Sequence, residues 1–392
     1  MRKIKILHIS PDSVIHGTER HILSILKFSD RTKFEHAVVM PDEGILKNEL
    51  SKMNIETFIA GRKHGYNGKF DGIFSRETKN LYRIIKDNEF DIVHSHLNSY
   101  GGIVAKLAGV PAIVHTRHGV FWSEEELNNI SLPDKYFQKL KSGIFDTTVA
   151  LGEYEKNTLM KNFKYDESKI SSTINGVNVE EINSKIDISK TKKELFGTDD
   201  LIVGLVGRLE KQKGFDYLIE AVDKIKDQIE GITFFIIGNG SMKEKLVSKR
   251  DSLSLNKKII FLDYKTNILD YVSNFDFMVQ TSLWEGLSYS VQEAMALGKP
   301  VIALSSPGVS GVGEIIVHDE TGFVIEKDHV SELGRHVLIL ANDSEKRSRF
   351  GKASIEREKK YFPEWKTASD MDLIYQRLFN SKSGILRTEN VK

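Results

Sequence analysis

The sequence has 392 residues, 40% of them hydrophobic, and its 56 basic and 55 acidic residues give a net charge of +1. This length predicts about two domains, and the even charge argues against nucleic acid as a partner, which usually requires a concentrated basic face. The sequence contains no cysteine, which excludes disulfides and thiolate metal sites. No run of apolar residues is long enough to predict a membrane-spanning helix.

Short β-branched segments alternate with amphipathic segments through the first half of the sequence. The segment KIKILHI (3–9) predicts a first strand and not a signal peptide, because its apolar run is short and interrupted. Further predicted strands are EHAVVM (35–40), IETFIA (55–60), DIVHSH (91–96), AIVHTRHG (112–119) and DTTVALG (146–152). Helical spacing in ERHILSILKF (19–28) and RETKNLYRIIKDN (76–88) places helices between them. This alternation predicts a parallel sheet covered by helices.

A polar, lysine-rich segment, 180–200, is predicted to connect two domains, because the same alternation starts again after it. The predicted strands are LIVGLVG (201–207), ITFFIIG (232–238), KIIFLD (258–263), DFMVQTS (276–282), PVIAL (300–304) and TGFVI (321–325). We therefore expect an α/β protein with two Rossmann-like domains facing each other across a ligand cleft, at 1–185 and 198–360. In open α/β sheets, ligands bind beyond the carboxyl ends of the strands.

The segment WEGLSYSVQEAMALGKPVIA (284–303) carries two acids around a predicted helix start. Glu285 falls in the loop after a strand, beside the backbone N–H groups of Gly286, Leu287 and Ser288, and Ser288 is the predicted N-cap. Free N–H groups at a helix start favour an anion. Glu293 follows within the helix, where a carboxylate can accept hydrogen bonds from two ribose hydroxyls. Taken alone, such a pair of acids is more often a solvated loop acid and an exposed helix acid.

A second group of candidates follows the strand LIVGLVG. Gly207 and Arg208 come at its end, and Lys213 precedes an amphipathic helix. A guanidinium, an ammonium and glycine-loop amides suit a diphosphate, although a loop with several cations is often solvated surface. The spacing differs from that of a P-loop, which places a glycine directly before the lysine.

Two further patterns have simple structural explanations. Gly238 and Gly240 lack the third glycine of a dinucleotide fingerprint, so a dinucleotide site is weakly supported. The acid pair in DMD (370–372) lies in a predicted amphipathic helix and is interpreted as surface.

Histidines cluster at predicted strand ends in the first half, as His94, His96, His115 and His118. Their spacing alone is compatible with a metal site, but no acid accompanies them, and hydrogen-bonded or cleft-lining histidines are the favoured interpretation. His118, just before Gly119, is the candidate for direct substrate contact.

Taken together, these features resemble the family-4 retaining nucleotide-sugar glycosyltransferases (glycosyl transferases group 1), which have the GT-B fold. The resemblance covers nearly the whole chain, and the second half is its more specific part. It rests on HGTERHI (16–22), DIVHSH, HTRHG (115–119), TINGVN (173–178), GRLEKQKGFDYLIEA (207–221), IIGNG (236–240), SLWEGLSYSVQEAMALGKPVIA (282–303) and GVGEII (311–316).

The resemblance implies a role for each matching position in the donor site. Arg208 and Lys213, which follow Gly207, would hold the donor diphosphate and neutralise the leaving group. Glu293 would bind the ribose, and Glu285 a hydroxyl of the transferred sugar. The amides of Gly286, Leu287 and Ser288 would support the sugar and phosphate.

The resemblance also implies roles in the first half. His118 would contact the donor sugar, and Gly17 would approach the phosphates. The first domain would bind the acceptor, and a helix at about 362–380 would return to it. One departure is His16, which stands where the family often has a second glycine, and its side chain would crowd or re-aim the acceptor or phosphate region.

The implied activity is transfer of a hexose with retention of configuration, without a metal or other cofactor. Preorganised cations can stabilise the leaving diphosphate by several kcal/mol, with about 3–4 kcal/mol lost when one such group is removed. UDP-sugars are the expected donors, with GDP-mannose second, and the acceptor would be a glycan or lipid-linked hydroxyl in surface polysaccharide or glycolipid synthesis.

Three alternatives remain at this stage: a nucleotide-sugar epimerase of related fold, an inactive GT-B-like binding subunit and an NAD-linked oxidoreductase. The last is disfavoured by the broken glycine fingerprint. We expect a cytoplasmic protein with at most peripheral membrane association, through the segment 121–145, whose aromatics and lysines suit a bilayer surface although its acids do not.

Overall fold

The structure is a computed structural model that describes residues 2–61, 75–306 and 308–383. The chain divides into two compact units. Unit 1 contains residues 1–119, 127–175 and 364–392, and unit 2 contains residues 120–126 and 176–363. Each unit has its own parallel sheet and its own core.

Unit 1 alternates strands and helices from its first residues. Its strands are β1 (Ile4–Ile9), β2 (Phe34–Met40), β3 (Glu56–Ile59), β4 (Ile92–His96), β5 (Ala112–Thr116), β6 (Thr147–Leu151) and β7 (Ile170–Thr173). Its helices are α1 (Gly17–Phe28), α2 (Ile45–Lys52), α3 (Arg76–Asp87), α4 (Tyr100–Ala108), α6 (Leu132–Ser142), α7 (Glu153–Lys161) and α17 (Glu364–Lys382). The short helix α5 (Glu124–Asn128) includes a boundary between the units.

The seven strands of unit 1 form one parallel sheet in the order β3-β2-β1-β4-β5-β6-β7. Helices cover both faces, so its strands are apolar along most of their length. On one face Met371 and Tyr375 of α17 pack against Ile6, Ile25 and Phe34, and all five are buried. The last described helix of the chain is therefore part of the core of unit 1.

Unit 2 repeats this alternation. Its strands are β8 (Leu201–Val206), β9 (Ile232–Ile237), β10 (Ile259–Leu262), β11 (Phe277–Gln280), β12 (Val301–Leu304) and β13 (Gly322–Ile325). Its helices are α8 (Val179–Ser184), α9 (Lys192–Phe196), α10 (Phe215–Ile225), α11 (Lys243–Ser252), α12 (Ile268–Ser273), α13 (Tyr289–Ala296), α14 (Val312–Ile315), α15 (His329–Asn342) and α16 (Ser344–Tyr361).

The six strands of unit 2 are ordered β10-β9-β8-β11-β12-β13. This is the doubly wound order of a Rossmann-like sheet, in which the first and fourth strands of the unit are neighbours at the switch point of the topology. Unit 1 has the same relation between β1 and β4. The predicted α/β class with two Rossmann-like domains is confirmed.

The structure differs from the sequence prediction in three places. The strand predicted at 112–119 ends at Thr116, because His118 has a left-handed φ of 66°. Strand β7 was not predicted. The segment expected to connect the domains contains α8 and α9, and Ile182 of α8 is buried with Val179 and Tyr289 in unit 2.

Within the described ranges, no helix combines the length and the hydrophobicity that crossing a membrane requires.

Candidate functional site

The candidate site of unit 2 lies at the switch point of its sheet. Strands β8 and β11 are parallel neighbours, with Phe277 opposite Val203. Gly207 directly follows β8, and Glu285 lies in the loop that follows β11. Because parallel strands end at the same edge, the loops after β8 and β11 meet where α/β sheets commonly bind ligands.

These two loops are fastened to each other by hydrogen bonds. The backbone N–H of Leu283 donates to the Gln212 carbonyl at 2.9 Å. The Thr281 hydroxyl donates to the Lys213 carbonyl at 2.7 Å, and the Gln212 amide donates to the Trp284 carbonyl at 2.7 Å. Gly214 has a φ of 59°, and a Cβ there would clash with the Thr281 carbonyl. The backbone positions of Lys213 and Glu285 are therefore coupled.

The side chains of Lys213 and Glu285 form an ion pair and are only 15% and 20% exposed. The same oxygen, Glu285 Oε2, lies 3.2 Å from the Ser282 hydroxyl and 3.4 Å from the Gln280 amide nitrogen. Several donors thus converge on one carboxylate at the strand end. A ligand that carries a phosphate and a hydroxyl can replace this ion pair, because its phosphate can bind Lys213 and its hydroxyl can donate to Glu285.

Arg208 is exposed on the loop that also carries Lys213. Two glycines hold the start of this loop: a Cβ at Gly238 would clash with the Gly207 carbonyl, and one at Gly240 would clash with the Leu209 carbonyl. The Leu209 N–H also donates to the Asn239 carbonyl at 2.9 Å. The glycines of IIGNG therefore allow the two backbone segments to pack closely at the start of the Arg208 loop.

Helix α13 starts where the sequence indicated. Ser288 is its N-cap, although its side chain makes no capping bond, and Glu293 is a partly buried residue inside the helix. Gly298, with a φ of 68°, follows the helix end, and Lys299 N–H donates to the Ala294 carbonyl at 2.9 Å, as in a Schellman motif. Gly286 and Leu287 lie directly before the helix, as predicted.

The remaining sequence candidates belong to unit 1. Gly17 is the first residue of α1, and His118 follows β5. The loop of His118 is held by Glu155 of α7, a fully buried carboxylate that accepts hydrogen bonds from Gly119 N–H at 3.1 Å and Leu151 N–H at 2.7 Å. A non-glycine residue in the left-handed region is often found at a functional site.

A second buried acid lies beside Gly17. Glu19 accepts a hydrogen bond from His16 N–H at 2.9 Å, and Ser10 Oγ lies 3.4 Å from its other oxygen. Burial raises the pKa of Glu19 to about 7. A carboxyl group that titrates near neutrality in the first turn of a helix, beside the loop that follows β1, is a functional candidate.

Histidine rings fill the interior of unit 1 at its switch point. The ring nitrogens of His8, His94 and His96 lie within 4.8 Å of one another, a spacing that could hold a metal ion. Each nitrogen already has a partner: His8 bonds His36 and His96, and His94 bonds Tyr375 and Thr116, both at 2.7 Å. His96 also bonds His118 at 3.1 Å.

His115 is different, because neither ring nitrogen has a partner among the described residues and the ring stacks on Phe145 at 4.5 Å. Burial lowers the pKa of His115 to about 3, so the ring is neutral and packs as an aromatic group.

His118 was predicted from the sequence to contact substrate. Glu155 was missed, and Glu19 was placed only at the start of a predicted helix. Glu155 lies four residues after the end of β6, but its partner Gly119 lies 36 residues earlier in the chain, so its contact with the His118 loop cannot be predicted from its own position. The capping role of Glu19 could have been predicted from the sequence. An acid at the third position of a helix often accepts a hydrogen bond from the N-cap backbone.

The two halves of the chain match two family models. Residues 15–181 match Glycosyltransferase Family 4, and residues 187–357 match Glycosyl transferases group 1. Between them they cover most of the chain. The fold and the two family models define a glycosyltransferase with two Rossmann-like units of the GT-B type.

The chain belongs to the family-4 glycosyltransferases. It is 26% identical over 349 residues to the Escherichia coli UDP-Gal:alpha-D-GlcNAc-diphosphoundecaprenol alpha-1,3-galactosyltransferase, covering 87% of this chain and 89% of that protein. It is 25% identical over 364 residues to the Campylobacter jejuni N-acetylgalactosamine-N,N'-diacetylbacillosaminyl-diphospho-undecaprenol 4-alpha-N-acetylgalactosaminyltransferase, covering 90% of this chain and 94% of that protein. The crystal structure of Anabaena HepE with UDP-glucose matches with a TM-score of 0.78 at 18% identity, over 95% of this chain and 100% of that chain.

Proposed function

We propose that the protein transfers a hexose, with retention of configuration, from a nucleotide diphosphate sugar to a hydroxyl of a lipid-linked or glycan acceptor in surface polysaccharide or glycolipid synthesis. Unit 2 would bind the donor, and unit 1 would bind the acceptor. The observation that carries the proposal is the coupled pair of loops at the switch point of unit 2, which holds Lys213 beside Glu285 and carries Arg208.

The diphosphate is the part of the donor that this arrangement suits best. Arg208 can bind phosphate oxygens in bidentate fashion, and Lys213 supplies a point charge. Helices α10 and α13 begin in the same two loops, and helix N-termini favour anions. Gly207 and the amides of residues 286–288 would line the phosphate and sugar.

Two carboxylates would select the rest of the donor. With Lys213 turned to the phosphate, Glu285 would accept a hydrogen bond from a hydroxyl of the sugar, and Glu293 would accept those of the ribose. Gly17 and His118 of unit 1 would contact the phosphates and the sugar. Departure of the diphosphate builds negative charge that Arg208 and Lys213 neutralise, which supports a reaction without a metal cofactor.

The names of the relatives support the choice of substrates. The E. coli relative is named for UDP-Gal as donor, and the E. coli and C. jejuni relatives are both named for acceptors on diphosphoundecaprenol. The Anabaena protein binds UDP-glucose. We therefore favour a UDP-sugar, with GDP-mannose second, and a lipid-linked acceptor. Retention rests on the family resemblance.

The experiment that tests the donor assignment is calorimetric titration with UDP, GDP, ADP and NAD. We expect selective binding of one nucleoside diphosphate, UDP first, which Glu293→Ala weakens strongly because ribose contacts are lost. Glu356→Ala, an exposed acid on α16, is the control and should bind as the wild type does. Failure of every diphosphate to bind would favour an inactive binding subunit, and tight NAD binding would favour an oxidoreductase.

A lipid-linked acceptor requires access to a membrane surface, and α6 of unit 1 supports this. Its residues Leu132, Tyr136, Phe137 and Leu140 are between 57% and 80% exposed. Three lysines lie on the same helix, at 135, 139 and 141. Exposed aromatics with lysines suit the interface of an anionic bilayer, so we include peripheral association through α6 in the proposal.

Flotation with liposomes containing anionic lipid tests this part separately. We expect the wild type to float with the liposomes, and the double variant Tyr136→Ser, Phe137→Ser to remain in the dense fraction with unchanged UDP binding. Absence of wild-type flotation would overturn the peripheral association but not the donor assignment.

A further inference from the structure

A row of hydrogen-bonded side chains crosses the interior of unit 1 from α17 to the loop of His118. It begins at Asp372, whose two oxygens accept hydrogen bonds from Ser29 Oγ at 2.6 Å and from Asp30 N–H at 2.9 Å. Ser29 Oγ lies 2.8 Å from His36 Nε2. We call the four imidazoles that follow, His36, His8, His96 and His118, the histidine row.

Each imidazole of the histidine row uses its Nδ1 to meet the Nε2 of the next. His36 Nδ1 lies 3.0 Å from His8 Nε2, His8 Nδ1 lies 3.2 Å from His96 Nε2, and His96 Nδ1 lies 3.1 Å from His118 Nε2. Nδ1 of His118 ends the row and has no hydrogen-bond partner in the part of the chain that the structure describes. His118 is partly exposed, whereas His8 and His96 are fully buried.

The four imidazoles are neutral. Burial lowers the pKa of His36 to about 3, and burial holds the pKa of His8, His96 and His118 well below the ordinary value. A neutral imidazole has one donor and one acceptor nitrogen. Along a row of neutral imidazoles, the direction of the first hydrogen bond therefore fixes the direction of all the others.

Asp372 sets that direction. Burial raises the pKa of Asp372, while the two hydrogen bonds that its oxygens accept favour the carboxylate. Because a carboxylate only accepts, Ser29 donates its proton to Asp372, and Ser29 Oγ must then accept from Nε2–H of His36. His36 Nδ1 is left as an acceptor for His8 Nε2–H, and the same step repeats through His96 to His118. Every imidazole of the row then carries its proton on Nε2.

We propose that Asp372, acting through Ser29 and the histidine row, fixes His118 as the Nε2–H tautomer, so that an unprotonated Nδ1 is presented to accept a hydrogen bond from a substrate hydroxyl. Asp372 is then a positioning residue for His118. The tautomer of His118 does not depend on the proposed glycosyl transfer. Only the identity of the substrate hydroxyl, on the donor sugar or on the acceptor, rests on the proposed function.

The surroundings of His118 support an accepting nitrogen. His21 of α1 packs edge-on against His118 with ring centroids 5.0 Å apart. Its Nδ1 lies 2.9 Å from the Asn175 side-chain oxygen and must donate, so its Nε2, which has no partner among the described residues, is a second acceptor. His21 Nε2 is buried, whereas His118 is partly exposed, so Nδ1 of His118 is the acceptor that a substrate hydroxyl can reach.

The variant Asp372→Asn should reverse the row. Asp30 N–H still needs an acceptor, so the amide oxygen takes that position and the amide NH₂ faces Ser29. Ser29 then accepts from the amide and donates to His36 Nε2, and each imidazole moves its proton to Nδ1. His118 would present an N–H donor in place of an acceptor. An equivalent replacement of a histidine-orienting aspartate stabilises the wrong tautomer in serine proteases.

The test is a two-dimensional long-range ¹⁵N–¹H correlation spectrum of histidine-labelled protein without substrate, which distinguishes the two tautomers. The His118 signals are assigned with His118→Gln. We expect the Nε2–H tautomer in the wild type and a shift towards Nδ1–H in Asp372→Asn. Asp370→Asn is the control, because Asp370 lies on the same helix but bonds Thr173 and Lys366, and it should leave the His118 signals unchanged.

A second variant covers the case in which Asp372→Asn does not fold. Ser29→Ala removes the connection to Asp372 and should give His118 a mixture of tautomers. An Nδ1–H tautomer in the wild type, or an unchanged tautomer in both folded variants, would overturn the proposal.

An activity assay then separates this inference from the proposed function. Transfer by Asp372→Asn should fall about tenfold or more in kcat, because His118 would present a donor where the substrate hydroxyl needs an acceptor, with UDP affinity unchanged. If the spectra show the expected shift but no sugar is transferred by the wild type, the tautomer assignment stands and the proposed function fails.

Discussion

Among single residues, the cations of the β8–α10 loop differ in their surroundings. Lys213 is largely buried against Glu285, Arg208 is exposed where the strand ends, and Lys211 is exposed one turn away. If Arg208 neutralises the leaving diphosphate, Arg208→Ala should reduce kcat at least about tenfold, because a preorganised charge at the developing anion is lost. Steady-state transfer assays measure this, with circular dichroism to check that the variant is folded.

Lys211→Ala is the matched control in the same short turn. This variant removes one positive charge at the surface, and its kcat should stay within about twofold of the wild-type value. Equal losses in both variants would mean that general charge, and not the position of Arg208, matters. Wild-type turnover in Arg208→Ala would contradict the site assignment.

Glu19 predicts a dependence of stability on pH. Its pKa is raised by burial from 4.5 to about 7 in the folded protein. Between these two values the folded state binds more protons than the unfolded state, so the free energy of unfolding falls as the pH rises through this window. The shift corresponds to a loss of roughly 3 kcal/mol between the two ends of the window.

Glu19→Gln should remove this contribution, since the amide oxygen can still accept from His16 N–H but does not ionise. Urea unfolding of both proteins from pH 4.5 to 7 measures the difference between them. The variant should become the more stable of the two as the pH rises. Parallel curves would show that Glu19 keeps an ordinary pKa.

Local sequence patterns predict where a residue lies when its placement depends on its own strand or helix. Gly207, Arg208 and Glu285 lie at one edge of the sheet, as predicted, because neighbouring parallel strands end there. The partnership of Glu155 with Gly119, and that of Asp372 with Ser29, joins residues far apart in the chain. Asp372 was interpreted as surface, and its bond to Ser29 depends on where α17 packs, which hydrophobic periodicity does not specify.

At the scale of elements, α17 shows how a terminal helix contributes to the core of unit 1. Met371 is fully buried against the sheet, whereas Leu373 on the same helix is 70% exposed. Met371→Ala should lower the free energy of unfolding by about 2–5 kcal/mol, through lost burial and a cavity. Leu373→Ala should change it by less than about 0.5 kcal/mol, as a surface substitution.

Chemical denaturation of the two variants measures both values. Equal small effects would mean that α17 contributes little to the stability of unit 1. Both substitutions shorten a large apolar side chain to alanine on the same helix, so the two variants differ mainly in the burial of the side chain that is lost.

Element types were predictable because buried parallel strands are continuous β-branched runs and their helices are amphipathic. Strand β7, with the sequence ISST, was missed because it is only partly buried and carries no such run. Helices α8 and α9 were missed because their segment is mostly polar and only a few residues, such as Ile182, are buried. The end of β5 was misplaced because the left-handed backbone of His118 is imposed by tertiary contacts.

On the scale of the whole molecule, both units use one topology for different chemistry. Unit 2 places cations and carboxylates at its switch point, and unit 1 places neutral imidazoles there. The net charge of +1 conceals this local separation. In the proposed function, a nucleotide diphosphate would therefore be attracted by a few placed charges in unit 2, and not by a net positive charge of the whole protein.

This distribution predicts how the enzyme responds to metal chelation. In the proposed function, Arg208 and Lys213 would supply the positive charge that a divalent ion provides in other transferases. The ring nitrogens of His8, His94 and His96 are engaged in hydrogen bonds. Dialysis against EDTA should therefore leave the transfer rate unchanged, as measured by release of the nucleoside diphosphate. Complete loss of wild-type activity with EDTA, recovered with manganese, would show that a metal ion and not these side chains neutralises the leaving group.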